Sequence, residues 1–353
     1  MFGNDHGRYS GAALAMASAA LFGITTPAAK LFLQSTDPFV LVGLLYLGSG
    51  AGLLAFRLLK PSGGHDRRLS PPEIFWLGCA IFFGGVLAPI LLMLGLARVA
   101  ASSASLLLIF EGVATALMAW FVFGENFDRR IAFGMLAITI GAAILVWPTE
   151  AFSLGNMLGP VCIIGACLAW ALDNNLTRKA ALADPVQIAM FKGLIAGGVT
   201  LAAALLHGAS LPELSGIGLV AGVGLLGYGV SLILFVLALR NIGAARTGAY
   251  FSIAPFIGAG FSLPMLGEPL TWQFVWACLF MAAGIWLHLT ERHEHEHEHA
   301  PEEHDHSHVH DIHHLHDHGP DDPVGEPHSH KHRHAGLRHS HAHFPDSHHQ
   351  HSH

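Results

Sequence analysis

LGLARVAASSASLLL (94–108) leads into the Gly-Glu pair of FGEN (123–126), and LALRNIGAARTGAYF (237–251) leads into that of LGEP (266–269). Earlier in each half, DPFVLVGLLY (37–46) can be set beside DPVQIAMFKG (184–193). The chain therefore resembles itself. Around these stretches lie ten apolar segments, near 11–33, 38–59, 73–97, 102–123, 130–147, 154–177, 185–206, 213–239, 245–266 and 270–290. Each is about long enough to cross a ~30 Å hydrocarbon core as a helix. Each half holds five, an odd number, so two copies joined in sequence must enter the bilayer with opposite topology. The expected fold is an all-α membrane protein of ten transmembrane helices, built as two inverted five-helix repeats and followed by a disordered cytoplasmic tail. Inverted repeats are the usual architecture of secondary transporters, whose halves rock around a site near the midplane.

Composition agrees. At 52% hydrophobic and 12% charged residues, the 353-residue chain is too apolar for a soluble domain of its size. The net charge of −7 belongs to residues 293–353, which hold three of the 18 Lys and Arg but 12 of the 25 Asp and Glu. Cys79, Cys162, Cys167 and Cys278 lie inside apolar stretches without CxxC spacing and read as small core residues. Only Arg8 precedes the first apolar run, which is as long as a bilayer is thick and so reads as a span, not a cleaved signal. Basic residues gather on one side, at Arg8, Arg57, Lys60, Arg67, Arg68, Arg129, Arg130, Arg178, Lys179, Arg240, Arg246 and Arg292, against Lys30 and Arg98 on the other. That asymmetry predicts a multi-pass protein of the cytoplasmic membrane with both termini in the cytoplasm. The expected organisation is a short N-terminus (1–9), a first repeat (10–148), a second repeat (153–290) and a histidine-rich tail (291–353).

The two five-span copies, the lysine closing the first span of each (Lys30, Lys179) and the pairs Gly124-Glu125 and Gly267-Glu268 resemble the EamA-type transporters of the drug/metabolite transporter superfamily. The resemblance covers roughly residues 10–290. It implies a ten-helix exporter or permease of small metabolites with both termini inside, and it does not fix the cargo. The histidine tail lies outside the shared pattern.

Ionisable groups in a bilayer are kept mainly where they face a cavity or a partner. Glu111, in LLLIFEGVATALMAW, falls near the middle of span four, whereas the matching place in the second copy holds Ala254-Pro255. It reads as a carboxylate able to carry a coupling proton or face a cation, or else as an acid hydrogen-bonded for packing. ALDNNLTRK (171–179) places Asp173, Asn174 and Asn175 in the inner third of span six, with Asp173 and Thr177 on one face at i, i+4. This stripe either lines a water-filled path or marks an early helix end in the headgroups. Lys192, two turns into span seven, either snorkels to the interface or pairs with Asp173 as a switchable gate. Gly193-Gly197 and Gly218-Gly222 read as close helix packing. Pro27, Pro89, Pro255 and Pro264 can kink spans one, three and nine. No Walker A, HExxH, dinucleotide fingerprint or serine elbow is present, so the chain is read as a non-enzyme needing no cofactor.

The tail carries 23 of the 27 histidines. Its first part supplies His293, His295, His297, His299, His304, His306, His308, His310, His313, His314, His316 and His318 as candidate metal ligands. Repeated His-x-His spacing on a flexible chain suits divalent Zn, Ni, Co or Cu, and interleaved acids attract cations. The bland alternative is a polar tail that turns positive as pH falls through 6. Three functions compete: a proton-coupled small-solute carrier with a metal-binding tail, a transition-metal cation transporter, and a membrane-anchored metal buffer or sensor. Expected partners are the lipid bilayer, a small-molecule or cation substrate and divalent metal ions; nucleic acid is not among them, and a homodimer is left open.

Overall fold

The computed structural model describes residues 5–59, 71–123, 129–147, 154–178, 185–242, 244–289, 294–299, 303–308, 328–333 and 337–342. The chain divides into two units, Met1–Leu289 and Thr290–His353.

The described part of the first unit consists of helices joined by short turns. Spans one and two are continuous helices, Asp5–Phe32 and Pro38–Leu59. Span three runs Pro71–Ala80, Ile81–Leu87 and Ala88–Leu96, and its middle piece is a π-helical turn. Span four is broken into Ala101–Leu107 and Phe110–Phe123. Spans five, six and seven are Arg129–Val146, Leu154–Arg178 and Pro185–Leu206. Span eight repeats the plan of span three, with a π-helical turn at Leu225–Val230 between Leu214–Gly224 and Ser231–Ile242. Span nine repeats that of span four, broken into Ala244–Phe251 and Ala254–Leu266, and Trp272–Leu289 is span ten. Six of these are long and apolar enough to cross a membrane by themselves, and four shorter apolar helices complete the expected ten segments.

Local chemistry explains the irregular pieces. Pro89 has no N–H to return to the Gly85 carbonyl, so the α-ladder is interrupted where the π-turn of span three ends. In span four the ladder tightens to three-residue bonds, Ile109 N to Leu106 O at 3.0 Å and Glu111 N to Leu108 O at 3.1 Å. Span nine does the same at Ile253 N to Tyr250 O, 3.3 Å, just before Pro255.

Equivalent spans of the two copies pack against each other. Spans two and seven meet backbone to backbone: a Cβ on Gly193 would come within 2.7 Å of the Gly50 Cα, and one on Gly197 within 2.6 Å of the Leu47 N. Spans five and ten meet likewise, where a Cβ on Gly284 would sit 2.6 Å from the Gly134 carbonyl. Small residues let helices approach this closely, and in lipid that packing is the main attraction available. The Gly193-Gly197 reading holds, but Gly218-Gly222 does not: a Cβ on either would meet nothing within 4 Å. Span eight turns Ala221 and Gly224 toward span two instead, and leaves Leu219 outward. Around the bundle the outward surface is apolar, with Phe75, Phe82, Phe133 and Trp276 exposed, as lipid contact requires.

In the second unit, for which composition predicts no packed core, the described residues form four short strands: β1 Glu294–His299, β2 Glu303–His308, β3 His328–Arg333 and β4 Leu337–Ala342. β1 pairs antiparallel with β4 and β2 with β3. Alternation of histidine with polar residues has the two-residue period of a strand, which is what the register follows.

Candidate functional site

The site is assembled where the irregular spans cross. Span four breaks just before Glu111, which enters the first turn of the helix Phe110–Phe123. A carboxylate at that position faces the positive end of the helix dipole, favourable even where apolar residues surround it. Its Oε1 accepts a hydrogen bond from Asn174 Nδ2 of span six at 2.9 Å. One residue before Asn174, the Asp173 carboxylate is buried and receives Lys192 Nζ of span seven at 2.5 Å. The Lys192 and Asp173 charges act on Glu111, so the four side chains form one electrostatic group.

Gly84 is what admits them. A Cβ at Gly84 would fall on the Asp173 carboxylate, so only glycine fits beneath that acid. In a π-turn one carbonyl is displaced from the helical ladder. The Gly84 carbonyl is taken up by Tyr46 Oη of span two at 3.1 Å and Trp170 Nε1 of span six at 3.0 Å. Tyr46 in turn stacks on Tyr228 of span eight, ring centroids 5.3 Å apart, and Phe22 of span one meets Tyr228 edge-on. The site thus has charged groups on one side and aromatic rings on the other.

The second copy repeats the backbone with other side chains. Gly227, in the π-turn of span eight, would place a Cβ on the Thr25 hydroxyl of span one. So each π-turn receives a polar side chain from the first span of the opposite copy, an acid in one case and a hydroxyl in the other. Between the two breaks lies a small cavity lined by Phe22, Thr26, Ser105, Leu108, Ala254 and Pro255. The Cys167 thiol donates to the Leu107 carbonyl freed at the break, 3.6 Å away.

Of the residues singled out in the sequence, Glu111 meets Asn174 and Asp173 meets Lys192. Asn175 is buried but turns elsewhere, its Nδ2 donating to the Ala171 carbonyl of its own helix at 2.8 Å. Thr177 is helical, and its side chain lies outside the described residues. Among the tail histidines, His295, His297, His299, His304, His306 and His308 lie in β1 and β2, while His293, His310, His313, His314, His316 and His318 fall outside the described residues. Tyr46, Gly84, Trp170 and Tyr228 were missed. The Gly84-Gly85 pair followed by Pro89 was the one available signal.

Lys30 and Glu268, marked only as repeat features, are engaged at one end of the bundle. Lys30 Nζ donates to the carbonyls of Leu96 and Val99 at 2.5 and 2.9 Å. The Glu268 carboxylate accepts from the backbone N–H of Ala101 and of Ser102 at 2.6 and 2.9 Å.

A two-copy helical bundle with paired broken spans and a carboxylate at one of the breaks defines a multi-pass membrane transporter. The chain belongs to the EamA-like transporter family, whose model matches residues 9–147 and again 157–290. It is 27% identical over 283 residues to an uncharacterised transporter of Methanothermobacter thermautotrophicus, covering 75% of this chain and 82% of that one. It is 25% identical over 271 residues to the uncharacterised inner membrane transporter YedA of Escherichia coli, covering 73% and 83%. A solved crystal structure superposes with a TM-score of 0.60 over 80% of this chain and 96% of its own at 17% identity, a likeness of fold.

Proposed function

We propose that the protein is a secondary active transporter of a small solute that works by alternating access, couples to protons through Glu111, and has both termini in the cytoplasm. The observation that carries the reading is the pairing of Glu111 with Asn174 beside the Asp173–Lys192 pair, at the crossing of broken and π-helical spans. A carboxylate there takes a proton or a cationic group from one face and releases it to the other. An Asp–Lys pair that parts when solute or proton arrives supplies a switch between the two states.

In the same reading the tail captures divalent metal on the cytoplasmic side. Cross-strand register sets His297 opposite His339, His304 opposite His332 and His306 opposite His330, which brings imidazole-bearing positions together on one face of each ribbon. Among the described residues of both units no group of three or more His, Cys, Asp and Glu is gathered, so the metal part of the reading rests on the composition and His-x-His spacing of the tail.

The test compares a strain lacking the protein with the same strain carrying the full chain, a chain stopped after Arg292, or Glu111→Gln. Solutes inside and outside the cells and cellular Ni, Co, Zn and Cu are measured together. The expected result is one solute whose distribution follows the full chain and the truncated chain and is lost in Glu111→Gln. A metal that follows Glu111 in place of any solute would make metal the cargo and overturn the reading.

A further inference from the structure

Lys30, which closes the first span of the first copy, and Glu268, which closes the fourth span of the second, have no part in the site around Glu111. The two converge instead on the short turn between spans three and four. The lysine covers the carbonyl of Leu96, the last residue of span three, and that of Val99 in the turn, and the carboxylate bridges the first two N–H groups of span four. The Leu96 carbonyl and the two N–H groups are ones a helix leaves unsatisfied at its ends, and each end carries the partial charge that its partner opposes. Hydrogen bonds to ionised groups are about twice as strong as neutral ones. Lys30 and Glu268 are also close enough to act on each other electrostatically.

We propose that Lys30 and Glu268 form a clasp on the turn between spans three and four, which shuts one end of the transport path and must release for that end to open. Spans three and four carry Gly84 and Glu111, so movement of their shared turn moves one wall of the site. The clasp also joins the copies, because Glu268 belongs to the second and the turn to the first. Gly267 explains why the acid comes as a Gly-Glu pair: it ends its helix at φ +65°, where a side chain would be strained, and that reversal brings the next residue across to the turn. Both contacts are to backbone, so the clasp reads the position of the turn and not its side chains.

The proposal rests on the alternating-access reading, and one experiment separates the two. Asn174→Cys is placed in a full-length chain whose four native cysteines are serine, and labelled with a membrane-impermeant thiol reagent in intact cells and in inverted vesicles. Two releasing variants are added. Glu268→Gln removes the carboxylate charge. Ala101→Pro removes one donor at a first helical position that tolerates proline, after Ala100, whose ψ of 142° suits the residue before proline. With Lys30 and Glu268 on the face away from the basic residues, both variants should label about tenfold faster from outside, and no faster from inside, as expected when a conformational equilibrium loses a charge-assisted contact. Lys30→Glu with Glu268→Lys should not restore the slow rate, because the partners are backbone groups of fixed polarity. Unchanged labelling in both variants, or restoration by the exchange, overturns the clasp. Labelling of the parent from neither face overturns alternating access, and the clasp with it. Should Glu268→Gln not accumulate, Ala101→Pro decides alone.

Discussion

The breaks in spans four and nine share a backbone and differ in chemistry. Both interrupt the helix near mid-span, and both restart it at a residue that faces the small cavity or the charged site. In the first copy the restart carries Glu111; in the second it carries Ala254-Pro255. The π-turns show the same division, with Asp173 over Gly84 and Thr25 over Gly227. Duplication supplied the irregular backbone twice, and the charge was placed on it once. A path whose two breaks and two π-turns carry different side chains has unequal halves even where its helices match, so the two ends of the transport cycle differ in chemistry although they are alike in shape.

The sharpest way to break this comparison is to remove the charge from one break and vary the other. Glu111→Gln should lower proton-coupled flux by about 100-fold or more, the scale of losing a positioned proton carrier. Ala254→Ser, at the matching place, should leave flux within about threefold, being a small change away from any charge. Flux of the solute identified in cells, measured in vesicles with an imposed pH gradient, checks both. Next comes the pair. Asp173→Asn or Lys192→Gln alone should destabilise the protein by ~3 kcal/mol, since each leaves a partner charge poorly solvated. Asp173→Lys with Lys192→Asp should recover at least half of that loss in thermal unfolding of detergent-solubilised protein. The π-turns give a graded version: Gly84→Ala should cost ~2 kcal/mol and Gly227→Ala about half as much, because a carboxylate tied to Lys192 of another span yields less readily than a hydroxyl bonded to the Leu21 carbonyl of its own helix. The smallest effect is expected at Gly218→Ala, within ~0.5 kcal/mol, where Gly193→Ala in the packed pair should be plainly destabilising.

Much of this was legible from residue order. Ten apolar stretches, an odd number per copy and matched Gly-Glu pairs were enough for the inverted bundle. An acid and a lysine within two apolar spans were enough to suggest Asp173–Lys192, because neither survives in lipid without a partner. What sequence could not carry was hydrogen-bond register. Whether Ile81–Leu87 winds as α or π depends on Tyr46 and Trp170 arriving to take up a displaced carbonyl, and those two arrive from other spans. In a membrane chain Tyr46, Trp170 and Tyr228 look like any other core or interface aromatics. Gly218-Gly222 misled for the related reason that spacing marks a smooth face and not what lies against it. Lys30 and Glu268 were visible as a repeated pattern, but their partners are backbone groups and so have no signature of their own.

The glycine seam between spans two and seven has one more implication. It holds the two copies together through surfaces and not through the peptide that links them, since Gly43, Gly50, Gly193 and Gly197 meet across the middle of the bundle, far in sequence from residues 148–153. Two polypeptides divided there and made separately in one cell would find each other in the bilayer by the same seam and by that between spans five and ten, and a working carrier would not require a single gene product.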